Sequence, residues 1–291
     1  MVPSTFPIVI STYNRTDNTQ QKTFYQIPEV YWKEHVLVFS RESQATTLKK
    51  SNPGMNIITI PDSTDIGIAR TRQTVLEHMK ELGYSKYWMI DDSLRFHVRQ
   101  PDTKLQTMKT EEEFHRMYEA VFSYTASYPM VSLAHRKYGA MRNGDGVRPS
   151  GIKEGHRAYA NYTVDINLFE ELGICFDGMW KKNNEIRLYE DFYVVLSLLS
   201  KGYKNVLLLD HAFEHTPGKP GGNSSIRTND LQEKCAKALQ QEFPNYVKLK
   251  QHDGKWGDLS EGRIDVQVNW KKLLQTGEET RFGINQDSLF D

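Results

Sequence analysis

The residues of this 291-residue chain best suited to chemistry are two acidic pairs, two histidines and two clusters of polar side chains. Asp91 and Asp92 end the apolar run Tyr87-Trp88-Met89-Ile90. Carboxylates at the end of such a strand face the crevice where open α/β sheets bind ligands. One or two carboxylates, completed by water and substrate phosphates, are the usual holders of Mg2+ or Mn2+. The bland explanation is that they merely solvate a strand end. Glu190 and Asp191 open the helical stretch that closes at Gly202-Tyr203. The helix dipole favours acids there by about 0.3–1 kcal/mol. A rigidly mounted carboxylate is also what a general base needs, and such proton transfer is worth about 10²–10⁴ in rate.

His211 and His215 follow a strand and precede the Gly/Pro-rich run 216–222 with Lys219. Their spacing matches a helical zinc pair, but Pro217 argues against a helix there. One histidine joining the carboxylates around a metal, with the Lys219 loop over phosphates, is the better functional reading. Near the N-terminus, Ser11-Thr12-Tyr13-Asn14-Arg15 ends the run Ile8–Ile10, and Arg70 and Arg72 sit where a helix begins. Hydroxyl, amide and guanidinium groups can bond a base and pair with phosphates.

The elements that must carry these groups follow from patterning. Ile8–Ile10, Val36–Phe39, Ile57–Ile60 and Tyr87–Ile90 are apolar on consecutive positions, as strands of a parallel sheet covered on both faces should be. Residues 65–82 place Ile68, Val75, Met79 and Leu82 on one helical face before Gly83, a natural C′ residue. A second helix starts at Thr110, with Glu113 completing a capping box and Phe114, Met117, Val121 and Phe122 as its buried stripe. A third covers 190–201, burying Phe192, Val195, Leu196 and Leu199, and leads into strand 206–209. Residues 136–158 and 216–225 read as long loops, which in compact domains often carry function.

Composition sets bounds. The apolar fraction of 38% and charged fraction of 25% describe an ordered globular protein. Its 37 basic and 37 acidic residues cancel, so any site for a polyanion must be local. Cys175 and Cys235 are too few for a disulfide framework, which suits a reducing cytoplasm. The N-terminus lacks a signal-peptide pattern, and no apolar run approaches the roughly 18 residues that span a membrane, so no membrane partner is expected.

In this order, the pieces resemble inverting GT-A glycosyltransferases of the large family-two type. These have a strand ending in a short polar run, a helix like 67-GIARTR-72, an apolar strand with Asp-Asp, and a stretch like 168-LFEELGICFD-177. An acidic pair opening a helix that closes in Gly-Tyr then precedes a strand and a histidine. The resemblance implies a GT-A-type α/β fold, an open and mostly parallel sheet flanked by helices, with long acceptor-side loops. Residues 1–225 would form the nucleotide-sugar-binding and catalytic domain, and 226–291 a C-terminal helical extension packed on it. Thr12, Tyr13, Asn14, Arg15, Arg70, Asp91 and Lys219 would bind the nucleotide-sugar donor. Asp91, Asp92 and His215 would serve Mn2+ or Mg2+, and Asp191, with Glu190 beside it, the base chemistry. Ser93 stands where the family often has a third acid.

A narrower resemblance is to small phage glycosyltransferases that modify 5-hydroxymethylated pyrimidines in DNA. It rests on the small cytoplasmic format and on Arg136, Lys137, Tyr138, Arg142, Arg148, Lys181 and Lys182 in the acceptor half. A duplex acceptor would demand phosphate contacts and a base turned out of the stack. Three other readings fare worse or differ in class. A sugar nucleotidyltransferase would carry glycines where Tyr13–Asp17 has none, and Asp91–Arg95 lacks the nucleophile motif of a haloacid-dehalogenase-type phosphatase. A non-catalytic carbohydrate- or nucleic-acid-binding module would leave a nucleotide sugar intact.

Overall fold

The computed structural model describes residues 6–17, 19, 21–64, 67–100, 104–138, 150–215, 227–251 and 262–282. The chain begins with strand β1 (Ile8–Ser11), a 3-10 turn at Phe24–Gln26 and helix α1 (Glu29–Trp32). It continues through β2 (Val36–Arg41), α2 (Glu42–Ser51), β3 (Ile57–Ile60), α3 (Ile68–Glu81) and β4 (Lys86–Asp91). Next come β5 (Arg95–Arg99), β6 (Leu105–Thr107), α4 (Glu111–Tyr124), β7 (Val131–His135), β8 (Ile152–Glu154) and β9 (Asn161–Asp165). The remainder holds α5 (Ile166–Glu171), α6 (Gly178–Lys182), α7 (Glu190–Ser200), β10 (Val206–Glu214), α8 (Asn229–Glu242), β11 (Val247–Gln251), β12 (Ile264–Val268) and α9 (Trp270–Phe282).

The four apolar runs form the parallel core. Their order is β3-β2-β1-β4, and β9 closes the sheet antiparallel to β4. β1 and β2 are buried along their whole length, whereas β3, at the edge, is only partly covered. Pairing of Ser11 with Asp91 brings the carboxyl ends of β1 and β4 side by side, so the polar run after β1 meets the acidic pair after β4. A second sheet runs β6-β5-β10-β7, with β8 on β10. Side chains stitch the two sheets together where backbone pairing stops. Thr163 Oγ1 accepts from Val131 N at 2.9 Å, and Asn161 Oδ1 from Leu133 N at 2.8 Å. The fold is, as expected, an α/β arrangement of open sheets flanked by helices.

Local signals mark the helices well. Gly83 takes φ +83° after α3, and the bonds Tyr84 N→Met79 O and Gly83 N→Lys80 O form a Schellman cap. Thr110 and Glu113 form the reciprocal capping box. Two stripe assignments are corrected. Leu82 is half exposed, and on α4 the fourth buried position is Tyr118 while Phe122 turns outward and stacks on Phe6. Positions 114, 117, 118 and 121 centre the stripe, leaving 122 at its margin. Residues 139–149, with Arg142 and Arg148, and 216–226, with Lys219, lie outside the described residues.

After residue 226 the chain is not helical throughout, because β11 and β12 pair as an antiparallel hairpin between α8 and α9. Cys235, Ala236 and Leu239 of α8 and Leu273 of α9 share one core cluster with Val195 and Leu199 of α7. α7 is buried nearly all round, as a helix between a sheet and α9 must be. Among the described residues no helix is long and apolar enough to cross a membrane. Where α9 crosses α7 the backbones touch: a Cβ on Gly277 would stand 1.9 Å from Leu199 O. Gly277→Ala is therefore expected to destabilise the fold by about 1–3 kcal/mol or more, as overpacking does. Urea unfolding against the exposed-site control Gln275→Ala checks this, and equal stability of the two variants would contradict the tight crossing.

Candidate active site

Asp92 is buried, and both of its oxygens are spoken for. Thr12 Oγ1 donates to Oδ2 at 2.7 Å and Arg15 pairs with Oδ1. Burial pushes this carboxyl up to about 6, against the pull of Arg15 and Thr12. Gln21 Nε2 reaches Thr12 Oγ1 at 2.9 Å and Arg15 O at 2.5 Å, so the loop after β1 is folded around the acid. Asn14 takes φ +55°, a left-handed conformation that asparagine tolerates, and trades bonds with Gln44 at 2.8 and 2.6 Å. The Tyr13 ring lies 6.0 Å from the Arg41 guanidinium.

Asp91 is more open. Its Oδ1 accepts from Arg72 Nη2 at 2.9 Å, and its side chain keeps 34% exposure. Arg72 extends its other arm to Glu190 Oε1 at 2.5 Å and lies 5.3 Å over the Tyr162 ring. A planar guanidinium, with donors on both arms of a rigid fork, suits this double duty. Burial pushes the Glu190 carboxyl up to about 7 while Arg72 pulls it down. Arg70 pairs with buried Asp177 and lies 4.6 Å from the Trp180 ring, so Asp177 fixes it at the start of α3.

Asp191 is held from another direction. Arg157 gives two bonds to Oδ2, from Nε at 2.9 Å and Nη2 at 2.7 Å, and lies between the rings of Phe192 at 4.0 Å and Tyr159 at 4.5 Å. Tyr189, just before the acidic pair, takes φ +69°. His215 follows β10 with a buried Nδ1 that has no hydrogen-bond partner among the described residues. Burial lowers its pKa, with the Asp91 charge acting in the opposite sense.

The structure thus brings Thr12, Arg15, Asp92, Asp91, Glu190 and Asp191 together through Arg72 and shared loops, with His215 within electrostatic reach of Asp91. It does not gather Asp91, Asp92 and His215 into a cage. Among the described residues no three His, Cys, Asp or Glu side chains stand together as metal ligands. The acceptor-half cations are partly engaged at home. Arg136 pairs with Glu214 at 2.9 Å, Lys181 with Asp177 at 3.0 Å and Lys182 with Glu242 at 2.5 Å, while Tyr138 packs edge-on against His156 at 5.2 Å and Lys137 is exposed. The bridge made by Arg72 and the clasp of Arg157 on Asp191 escaped the sequence reading, for no local pattern announces partners so far apart.

The model of the TET-Associated Glycosyltransferase family matches residues 6–215. The chain belongs to this family. It is a glycosyltransferase. Two similar phage proteins are the beta-glucosyl-HMC-alpha-glucosyl-transferases of Enterobacteria phages T6 and T2. Identity is 24% over 233 residues for T6 and 24% over 237 for T2, in each case covering 75% of this chain and 75% of the relative. Among solved structures, GalNAc-T7 with UDP, GalNAc and Mn2+ is 11% identical with a TM-score of 0.48, covering 82% of this chain and 51% of that one. Glucosyl-3-phosphoglycerate synthase from Mycobacterium tuberculosis, with Mg2+ and uridine-diphosphate, is 9% identical with a TM-score of 0.47, covering 91% and 86%.

Removing one partner of a buried ion pair strands the other charge and commonly costs about 3–5 kcal/mol. Arg72→Met should lose stability on that scale in denaturant unfolding, and the double variant Arg72→Met/Glu190→Gln should recover much of it. A single-variant loss below about 1 kcal/mol would mean that the bridge does not organise this glycosyltransferase's site.

Proposed function

We propose that this glycosyltransferase moves a sugar from a nucleotide-sugar donor to a hydroxyl borne by a modified pyrimidine of duplex DNA, using a divalent cation. The observation that carries the reading is the convergence of the loop after β1, the acidic pair after β4 and the acidic pair opening α7 around Arg72. The acceptor reading is supported by the HMC in the names of the two phage relatives. Those names also carry a glucosyl group, so a sugar already on the base is a second acceptor to test.

In this reading Thr12, Tyr13, Asn14 and Arg15 hold the nucleotide, with Arg70 and Lys219 toward the phosphates. Asp92 keeps that loop shaped through Thr12 and Arg15. The donor set fits a cation completed by the donor's phosphates better than a protein cage: Asp91 spends one oxygen on Arg72, and His215 offers an Nδ1 with no hydrogen-bond partner among the described residues. Mn2+ or Mg2+ bound there would offset the diphosphate charge and stabilise it as a leaving group. Asp191 is the base. Arg157 holds Oδ2, leaving Oδ1 to take the acceptor proton as the hydroxyl oxygen bonds to the anomeric carbon. The bond from that carbon to the diphosphate breaks, its electron pair leaving with phosphate. Glu190 keeps Arg72, and through it Asp91, in place.

Two arms test this. Offered labelled nucleotide sugars, the protein should label duplexes carrying hydroxymethylcytosine or its glucosylated form, and not unmodified DNA. Asp191→Asn should cut transfer by at least about 10² with donor affinity nearly unchanged, since that is what loss of a general base ordinarily costs. Retention of more than a tenth of wild-type turnover would move the base elsewhere. Failure with every modified duplex would redirect the reading to a saccharide or protein acceptor.

A further inference from the structure

Tyr189 is the residue whose backbone bends to launch α7, and it does so in the left-handed region at φ +69° and ψ +20°. A non-glycine residue there costs of order 1–3 kcal/mol and persists only where its surroundings over-determine it. The surroundings are unusual in origin. The buried Tyr189 hydroxyl donates to Asp265 Oδ1 on β12 at 2.7 Å and accepts from Gln232 Nε2 on α8 at 2.5 Å. Asp265 is itself fixed, accepting from Val266 N at 2.8 Å and from Arg263 Nη2 at 3.1 Å. One residue beyond Asp191, Phe192 stacks on Trp270 of α9 at 6.0 Å and 17°. α8, the hairpin and α9 therefore all grip the first turn of α7. Every one of these partners lies beyond residue 215, where the family match ends.

We infer that Tyr189 is a positioning residue, and that the C-terminal segment 227–282 acts through it to aim Asp191 at the acceptor hydroxyl. The inference rests on the reading of Asp191 as base. A left-handed residue immediately before a helix sets the direction of the first two side chains, and those are Glu190 and Asp191. Arg157 can hold one carboxylate oxygen, but its clasp is useful only if the helix start presents Asp191 at a fixed place. The tyrosine-carboxylate bond supplies that fixity from a segment that makes no described contact with Asp91, Asp92 or Thr12. Misplacement of a reacting group by about 1 Å can cost about 10² in rate, so small relaxations here should be visible in turnover.

The test is steady-state transfer from labelled nucleotide sugar to hydroxymethylcytosine duplex, with thermal unfolding in parallel. Tyr189→Phe should lower kcat about tenfold while donor KM changes less than about twofold. Asp265→Asn, which still accepts the hydroxyl bond, should stay close to wild type, and Asp265→Ala should match Tyr189→Phe. Placed in the Asp191→Asn background, Tyr189→Phe should cost nothing further, because its effect runs through that carboxylate. Should Tyr189→Phe fail to fold, Gln232→Met, which removes only the second bond, should show the same pattern at two- to threefold. Unchanged kcat in both Tyr189→Phe and Asp265→Ala would overturn the inference, as would an equal loss in the Asp191→Asn background. If Asp191→Asn alone keeps its turnover, the base reading falls, a result distinct from the behaviour of Tyr189→Phe in the otherwise unaltered protein.

Discussion

A single buried guanidinium ties the two acidic pairs of this protein to each other. Arg72 has a side-chain exposure of 4%, and it bonds Asp91 with one arm and Glu190 with the other. Burying a lone cation is costly, so the fold must deliver both carboxylates to it. That demand fixes the start of α3 against the end of the neighbouring β4 and against the start of α7, far along the chain. The acids differ in how they are held: Asp92 uses both oxygens, on Thr12 and Arg15, whereas Asp91 and Glu190 each accept from Arg72 through one oxygen and Asp191 from Arg157 through one.

Backbone strain gathers around the same place. Among the described residues the non-glycine positions with positive φ are Asn14, Ala160 and Tyr189. Asn14 shapes the loop after β1, Ala160 O accepts from Asp91 N at 2.7 Å, and Tyr189 precedes the second acidic pair. Such conformations persist where packing over-determines them and are common at sites that must be preorganised. Each of the three is locked by a different neighbour, Gln44 for the first, β4 for the second, and α8 with β12 for the third.

Much of the framework was legible in the sequence, because its signals are local. Strands buried on both faces read as unbroken apolar runs, and Gly83 and the Thr110–Glu113 box announced helix ends through residues within a few positions of each other. The acidic pairs were legible as chemistry at element ends. What escaped was long-range pairing: Arg72 meets Glu190 across 118 positions and Arg157 meets Asp191 across 34. Neither arginine differs locally from a solvated one. The hairpin β11–β12 escaped for another reason: its strands are half-covered, and the run 252–261 between them, although it includes Asp253-Gly254, is far longer than a two-residue turn.

The central claim is that the site is completed by a divalent cation seated on Asp91 and His215, with Asp92 held back to shape the nucleotide loop. Anomalous diffraction from crystals grown with Mn2+ and a nucleoside diphosphate tests it most directly. The account predicts one manganese peak within bonding distance of an Asp91 oxygen, the His215 ring and the diphosphate, with Asp92 still on Thr12 and Arg15. Manganese bound by Asp92, or nucleotide bound with no manganese beside Asp91, would contradict it.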